Sequence, residues 1–178
     1  MTSDLQRIAY ECMGSALSRL EGKDVVYGIV LYMAEDMSSA GIALGTEKHL
    51  AKQLAKEHAK EVSDPELRIP DFCFEVCAAM WSSLDHAGSS LRPLNARLRA
   101  AKKTSQSKAT IERALTGAMK QLRKQLKGER FAADVLLGIQ FPEPSDLDLV
   151  LRVSKKLNSA AWHRKVVRYC DYELKYYD

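Results

Sequence analysis

Residues 24–33 read Asp24-Val-Val-Tyr-Gly-Ile-Val-Leu-Tyr-Met33. The stretch is rich in β-branched and aromatic residues and hardly alternates between apolar and polar. It predicts a strand buried on both faces. Glu35, Asp36 and Ser38 suit a turn, and Ser38-Ser-Ala-Gly-Ile-Ala-Leu44 predicts a second strand, so the two form a hairpin with a loop of several residues. Far along the chain, Asp134-Val-Leu-Leu-Gly-Ile-Gln-Phe141 predicts another strand, broken by Pro142, Glu143 and Pro144.

Helical patterns lie around these strands. Residues 3–21 carry Leu5, Ile8, Cys12 and Leu20 at helical spacing, with Ser3 or Asp4 as cap and Gly22 as stop. Thr46 reads as the N-cap of a helix that runs to about Val62, with Leu50, Leu54 and His58 on one face and Ser63-Asp64-Pro65 at its end. Further helices are expected over Ser89–Lys102 and Lys108–Lys127, joined by a polar turn at Thr104–Ser107, and from Asn158 or Ser159 to Tyr172. Residues 66–80 fit either a strand or a helix, residues 81–86 fit neither, and residues 147–153 read as a further strand. The order implies one α+β domain over residues 1–178, a small antiparallel or mixed sheet packed with about five helices.

The chain has 178 residues, 46% hydrophobic and 28% charged, a composition that supports a sizeable core. It contains no apolar run long enough to span a bilayer. Asp4, Arg7, Glu11 and Arg19 interrupt the start, which lacks the pattern of a secretory signal, so a cytoplasmic location is expected. Four scattered cysteines, Cys12, Cys73, Cys77 and Cys170, read as free, buried thiols and not as a disulfide framework.

Charge is the strongest anomaly. Residues 1–91 hold 8 Lys/Arg against 14 Asp/Glu, a net −6, and residues 92–178 hold 19 against 9, a net +10. Residues 92–130 alone hold 12 against 2. The densest cluster is Arg97, Arg99, Lys102 and Lys103, the expected partner-binding residues. Such a stretch can solvate a helical face, meet an acidic protein, or bind nucleic acid. No Phe, Tyr or Trp lies between Arg92 and Arg130, whereas single-strand binders interleave stacking aromatics with their cations.

Motifs for chemistry are sparse. Cys73-x-x-x-Cys77 lacks the second ligand pair that structural zinc needs, and His49, His58, His86 and His163 stand apart from it, so no metal or cofactor is expected. There is no Gly-x-Ser-x-Gly elbow and no glycine-rich phosphate loop. Asp146-x-Asp148 reads as turn carboxylates. An enzyme with a dispersed Cys/His or carboxylate site stays open as a third reading. Trp162, with Val166 and Tyr169 or Cys170, makes a core stripe, and Tyr169, Tyr172, Tyr176 and Tyr177 could form part of an interface.

Three blocks, taken together, resemble a bacterial domain-of-unknown-function family found beside polymorphic and secreted toxins. They are Val26–Tyr32 with Ser38–Glu47, Trp81 with Leu94-Asn95, and Asp134–Ile139 with Val153-Ser-Lys-Lys-Leu-Asn158. Residues 64–80, rich in Phe and Cys, depart from that pattern. Thr46, Ser154 and Asn158 read as caps and turn residues. The resemblance implies a non-enzymatic immunity-type protein whose partner is a cognate toxin. The alternative is a nucleic-acid-binding accessory protein that uses residues 92–130.

Overall fold

Three strands form the sheet: β1 (Val26–Met33), β2 (Ala40–Thr46) and β3 (Phe131–Gln140). β1 is the middle strand, antiparallel to β2 and parallel to β3. Ile29, Val30 and Leu31 are all fully buried. Successive strand residues point to opposite faces, so helices cover both faces of the sheet.

In this computed structural model, residues 2–18, 24–60, 68–81, 91–104 and 107–177 are described. The expected Gly22 stop, the helix end at Ser63-Asp64-Pro65, residues 82–86, the helix start at Ser89 and the middle of the Thr104–Ser107 turn lie outside them. Seven helices occur among the described residues: α1 (Thr2–Ser18), α2 (Glu47–His58), α3 (Asp71–Val76), α4 (Arg92–Lys103), α5 (Lys108–Arg123), α6 (Leu147–Leu157) and α7 (Ala160–Tyr177). The architecture is α+β, as expected, with a mixed sheet. A parallel pair needs a long crossover, and α2 to α5 fill the one between β1 and β3. α1 packs on α4 and α5, α3 packs on α2 and α7, and α6 touches β3, α5 and α7. None of the described helices is long and apolar enough to cross a membrane.

Several local readings change. Residues 147–153 form a helix, not a strand. Asp146 caps α6 by accepting from the Leu149 amide at 3.1 Å. Leu149, Val150, Val153 and Leu157 then fall on one buried face at helical spacing. Residues 66–80 contain α3 and a 3-10 turn over Ala78–Met80. The hairpin's second strand runs on through Thr46, whose hydroxyl makes no capping bond. The first amides of α2 are met instead by Val25 O, at 2.9 Å from Glu47 N, and by Asp24 Oδ1, at 3.1 Å from Lys48 N. Glu57, not His58, is the buried residue near the end of α2, and it accepts from Ile69 N at 3.3 Å. α5 stops at Arg123, and Gly128, with φ +94°, turns the chain into β3 at Phe131. In the hairpin turn the left-handed position is held by Met37, with φ +55°, whose side chain is fully buried.

On each outer edge of the sheet one residue is met by an asparagine amide. Asn95 of α4 accepts from Ala40 N at 2.7 Å and donates to Ala40 O at 3.1 Å. Asn158, the residue that ends α6, accepts from Leu137 N at 2.8 Å and donates to Leu137 O at 2.8 Å. The cap of α7 is Ser159, whose hydroxyl accepts from Trp162 N at 3.3 Å. At the end of β3, Gln140 repeats the arrangement, accepting from Ala78 N at 2.8 Å and donating to Val76 O at 2.7 Å.

Trp81 sits against the sheet where two glycines leave room. A Cβ on Gly28 would come within 2.5 Å of the Trp81 ring, and one on Gly45 within 2.8 Å of the Tyr27 ring. Gly28 and Gly45 are direct cross-strand partners, next to an irregularity of the ladder between Val26 and Gly28. Tyr27 meets Trp81 edge-on at 5.6 Å and stacks on Trp162 at 6.0 Å. The Trp81 Nε1 donates to Phe74 O at 3.0 Å, which ties α3 to this group.

Gly28→Ala is therefore expected to destabilise the protein by about 1–3 kcal/mol through overpacking, read by urea denaturation. Asn158→Ala, which leaves the Leu137 amide and carbonyl unpaired in part-buried surroundings, is expected to cost about 1–3 kcal/mol in the same assay. A cost near zero for either would show that the edge or the glycine pair is dispensable.

Candidate functional site

The cations of residues 92–130 are divided between α4, α5 and the turn that follows. Of the four expected partner-binding residues, two are engaged within the chain. Arg97 pairs with Asp4 at 3.1 Å, and Lys102 pairs with Asp36 in the hairpin turn. Arg99 and Lys103 are exposed and form no ion pair among the described residues. Further along, Lys108 pairs with Asp146 at 3.6 Å. Arg123 donates to Val135 O at 2.7 Å and to Asn158 Oδ1 at 3.2 Å, so it braces the β3 edge. Burial pushes its guanidinium below the usual arginine range. The acidic front of the chain thus neutralises part of the basic stretch.

A second cationic region arises where α5 and α6 meet. The cavity there has a volume of about 560 Å³. Helical spacing puts Arg113, Thr116 and Lys120 on one side of α5, and Arg152 and Lys156 one turn apart on α6. Glu112 lies at the base, its side chain 9% exposed, and holds both α6 cations: Oε2 to Arg152 at 3.2 Å and Oε1 to Lys156 at 2.8 Å. Burial, the largest influence on this carboxyl, works to raise its pKa. The bonds and charges of Lys156 and Arg152 outweigh it and leave the group below its ordinary value of 4.5. Arg113 and Lys120 form no ion pair among the described residues.

Two neutral groups complete the lining. Thr116 is 5% exposed, and its buried hydroxyl has no hydrogen-bond partner among the described residues. Gln6 of α1 lies over Gly117, so close that a Cβ there would come within 2.5 Å of its Oε1. With four cations against one carboxylate, the groove carries a net +3. Such an arrangement attracts and orients anionic groups from outside. Arg113 and Lys120 belong to the basic stretch read from sequence. The sequence does not group Arg152, Lys156, Glu112, Thr116 and Gln6, because residues 147–153 alternate like a strand and the partners lie far apart in the chain.

All four cysteines are free and buried. Burial pushes the thiols of Cys73 and Cys170 up to about 12 and raises those of Cys12 and Cys77 as well, the state of packed thiols, not of nucleophiles. No cluster of three or more His, Cys, Asp or Glu side chains suited to a metal occurs among the described residues. His49 contacts Gln53 at 3.1 Å, His58 contacts Asp71 at 2.8 Å, and His163 contacts the Ser154 hydroxyl at 3.1 Å, while His86 lies outside the described residues. Asp146 is a helix cap, and Asp148 is exposed in the first turn of α6. Trp162 is part-buried and donates to Asp134 O at 2.9 Å, with Lys165 over its ring. Tyr169 is buried and donates to Cys77 Sγ at 3.4 Å, and Tyr172 packs edge-on against Phe72. The side chains of Tyr176 and Tyr177 lie outside the described residues.

Comparison of the chain with protein-family models, with curated proteins and with solved structures finds no match.

Because Glu112 titrates below its ordinary value in the folded protein, the unfolded chain binds more protons near pH 4.5. Its contribution is present above that pH and is lost as pH falls through the lowered folded value. Glu112→Gln is expected to cost about 1 kcal/mol at pH 7, allowing for the solvent screening of the half-exposed cations. The gap from the unsubstituted protein should shrink as denaturation curves are taken from pH 5 to pH 3. A gap independent of pH would mean that packing, not the charge pair, carries the effect.

Proposed function

We propose that this chain is a non-enzymatic, immunity-type binding protein that neutralises a cognate toxin by covering its active site or substrate path. The groove between α5 and α6 receives an acidic element of that partner. The carrying observation is the uncompensated charge of the groove: a net +3, with Arg113 and Lys120 free of ion pairs among the described residues. Arg152 and Lys156 are already held in place by Glu112, so less side-chain freedom is lost when a partner docks. Long-range attraction between complementary surfaces speeds encounter, which suits an inhibitor that must reach its target quickly. On α4, Arg99 and Lys103 are available for the same partner, whereas Arg97 and Lys102 would first have to leave Asp4 and Asp36. The protein acts in the cytoplasm, where the toxin would otherwise do damage.

The test is affinity capture of the tagged chain from cells that encode it, with and without nuclease, beside the Arg113→Glu/Lys120→Glu variant. Retained thermal stability of the variant shows that it folds. One stoichiometric protein that survives nuclease, is inactive while bound to the chain, and is lost from the variant is the expected result. Loss of all captured material on nuclease treatment overturns the reading in favour of nucleic acid on residues 92–130. Equal capture by the variant removes the groove from the interface.

A further inference from the structure

We infer that the α5–α6 groove is also a binding site for a small phosphate-bearing polyanion of the diphosphate class. The inference stands on the groove alone and does not need the protein partner.

Two features favour linked phosphates over a single carboxylate. The first is charge. A carboxylate brings one negative charge to a site with a net +3. One phosphate ester brings roughly −1.5 to −2, and two linked phosphates bring more. The second is donor geometry. Arg113 and Arg152 offer planar forks that match phosphate oxygens two at a time, and Lys120 and Lys156 add point charges.

Size and rigidity agree. The volume of about 560 Å³ lies within the usual range for small-ligand sites and exceeds what a single phosphate fills. Glu112 does not oppose the ligand with free oxygens, since each is bonded to an α6 cation. It acts as a positioning residue that fixes Arg152 and Lys156. α5 itself is held by Ile111, Ala114, Leu115, Ala118 and Met119 in the core, so its cations sit on a rigid support.

Titration calorimetry on the full chain tests this, with inorganic pyrophosphate, a nucleoside diphosphate and citrate as probes. Pyrophosphate should bind at one site, at least about tenfold more tightly than citrate, a difference of about 1.4 kcal/mol. Arg113→Gln/Lys120→Gln should abolish this binding without loss of thermal stability. Equal affinity for pyrophosphate and the nucleoside diphosphate identifies the diphosphate as the whole determinant, and tighter nucleotide binding identifies a nucleotide as its source. No pyrophosphate binding at millimolar concentration overturns the inference. So does binding matched by citrate, or binding unchanged in the variant. None of these outcomes bears on protein capture, so failure here is distinct from failure of the immunity reading.

Discussion

A sheet of three strands has two outer edges, and each presents backbone N–H and C=O groups that need partners when helices cover them. Here the partners are side-chain amides. Asn95 closes β2 at Ala40, and Asn158 closes β3 at Leu137. Each carboxamide supplies one acceptor and one donor at the spacing of a strand's own peptide group, so a helix end substitutes for a fourth strand. These two contacts tie α4 and α6 to the sheet beside their apolar packing. Arg123 extends the second by bridging Val135 O and Asn158 Oδ1, and so links α5 to the same edge.

That link gives α5 two duties. One side supplies the core with Ile111, Ala114, Leu115, Ala118, Met119 and Leu122. The other side meets α6 and presents Arg113, Thr116 and Lys120 to the groove. Gly117 lets Gln6 of α1 pass close to the helix backbone. The long-range charge asymmetry of the chain is therefore resolved locally. α4 spends two of its cations on Asp4 and Asp36, whereas the α5–α6 junction gathers four cations around the single carboxylate of Glu112. A buried carboxylate between two cations is stable because both oxygens are engaged, and it holds the two long side chains in defined positions.

Much of the fold was legible locally. The scarcely alternating apolar pattern of β1 points to a strand covered on both faces, and Glu35, Asp36 and Ser38 mark the hairpin turn. Residues 147–153 misled, because Leu147, Leu149 and Leu151 alternate over a short span. The signal that decides it is the Asp146 cap together with the spacing of Leu149, Val153 and Leu157. Asn158 reads locally as a cap or turn residue, yet its role at the β3 edge depends on Leu137, 21 residues earlier.

By itself, the sequence determined the α+β class, a first strand buried on both faces, the buried cysteines and the concentration of positive charge after Leu91. These follow from properties of neighbouring residues: apolar periodicity, β-branching, turn chemistry and net charge. Only the tertiary structure decided which cations remain available and where they converge. Arg97 and Lys102 look like Arg113 and Lys120 in the chain, and what separates them is whether a carboxylate from a distant segment folds against them. Electrostatic pairing acts through space, and the chain's order does not contain those distances until α1, α5 and α6 are packed together.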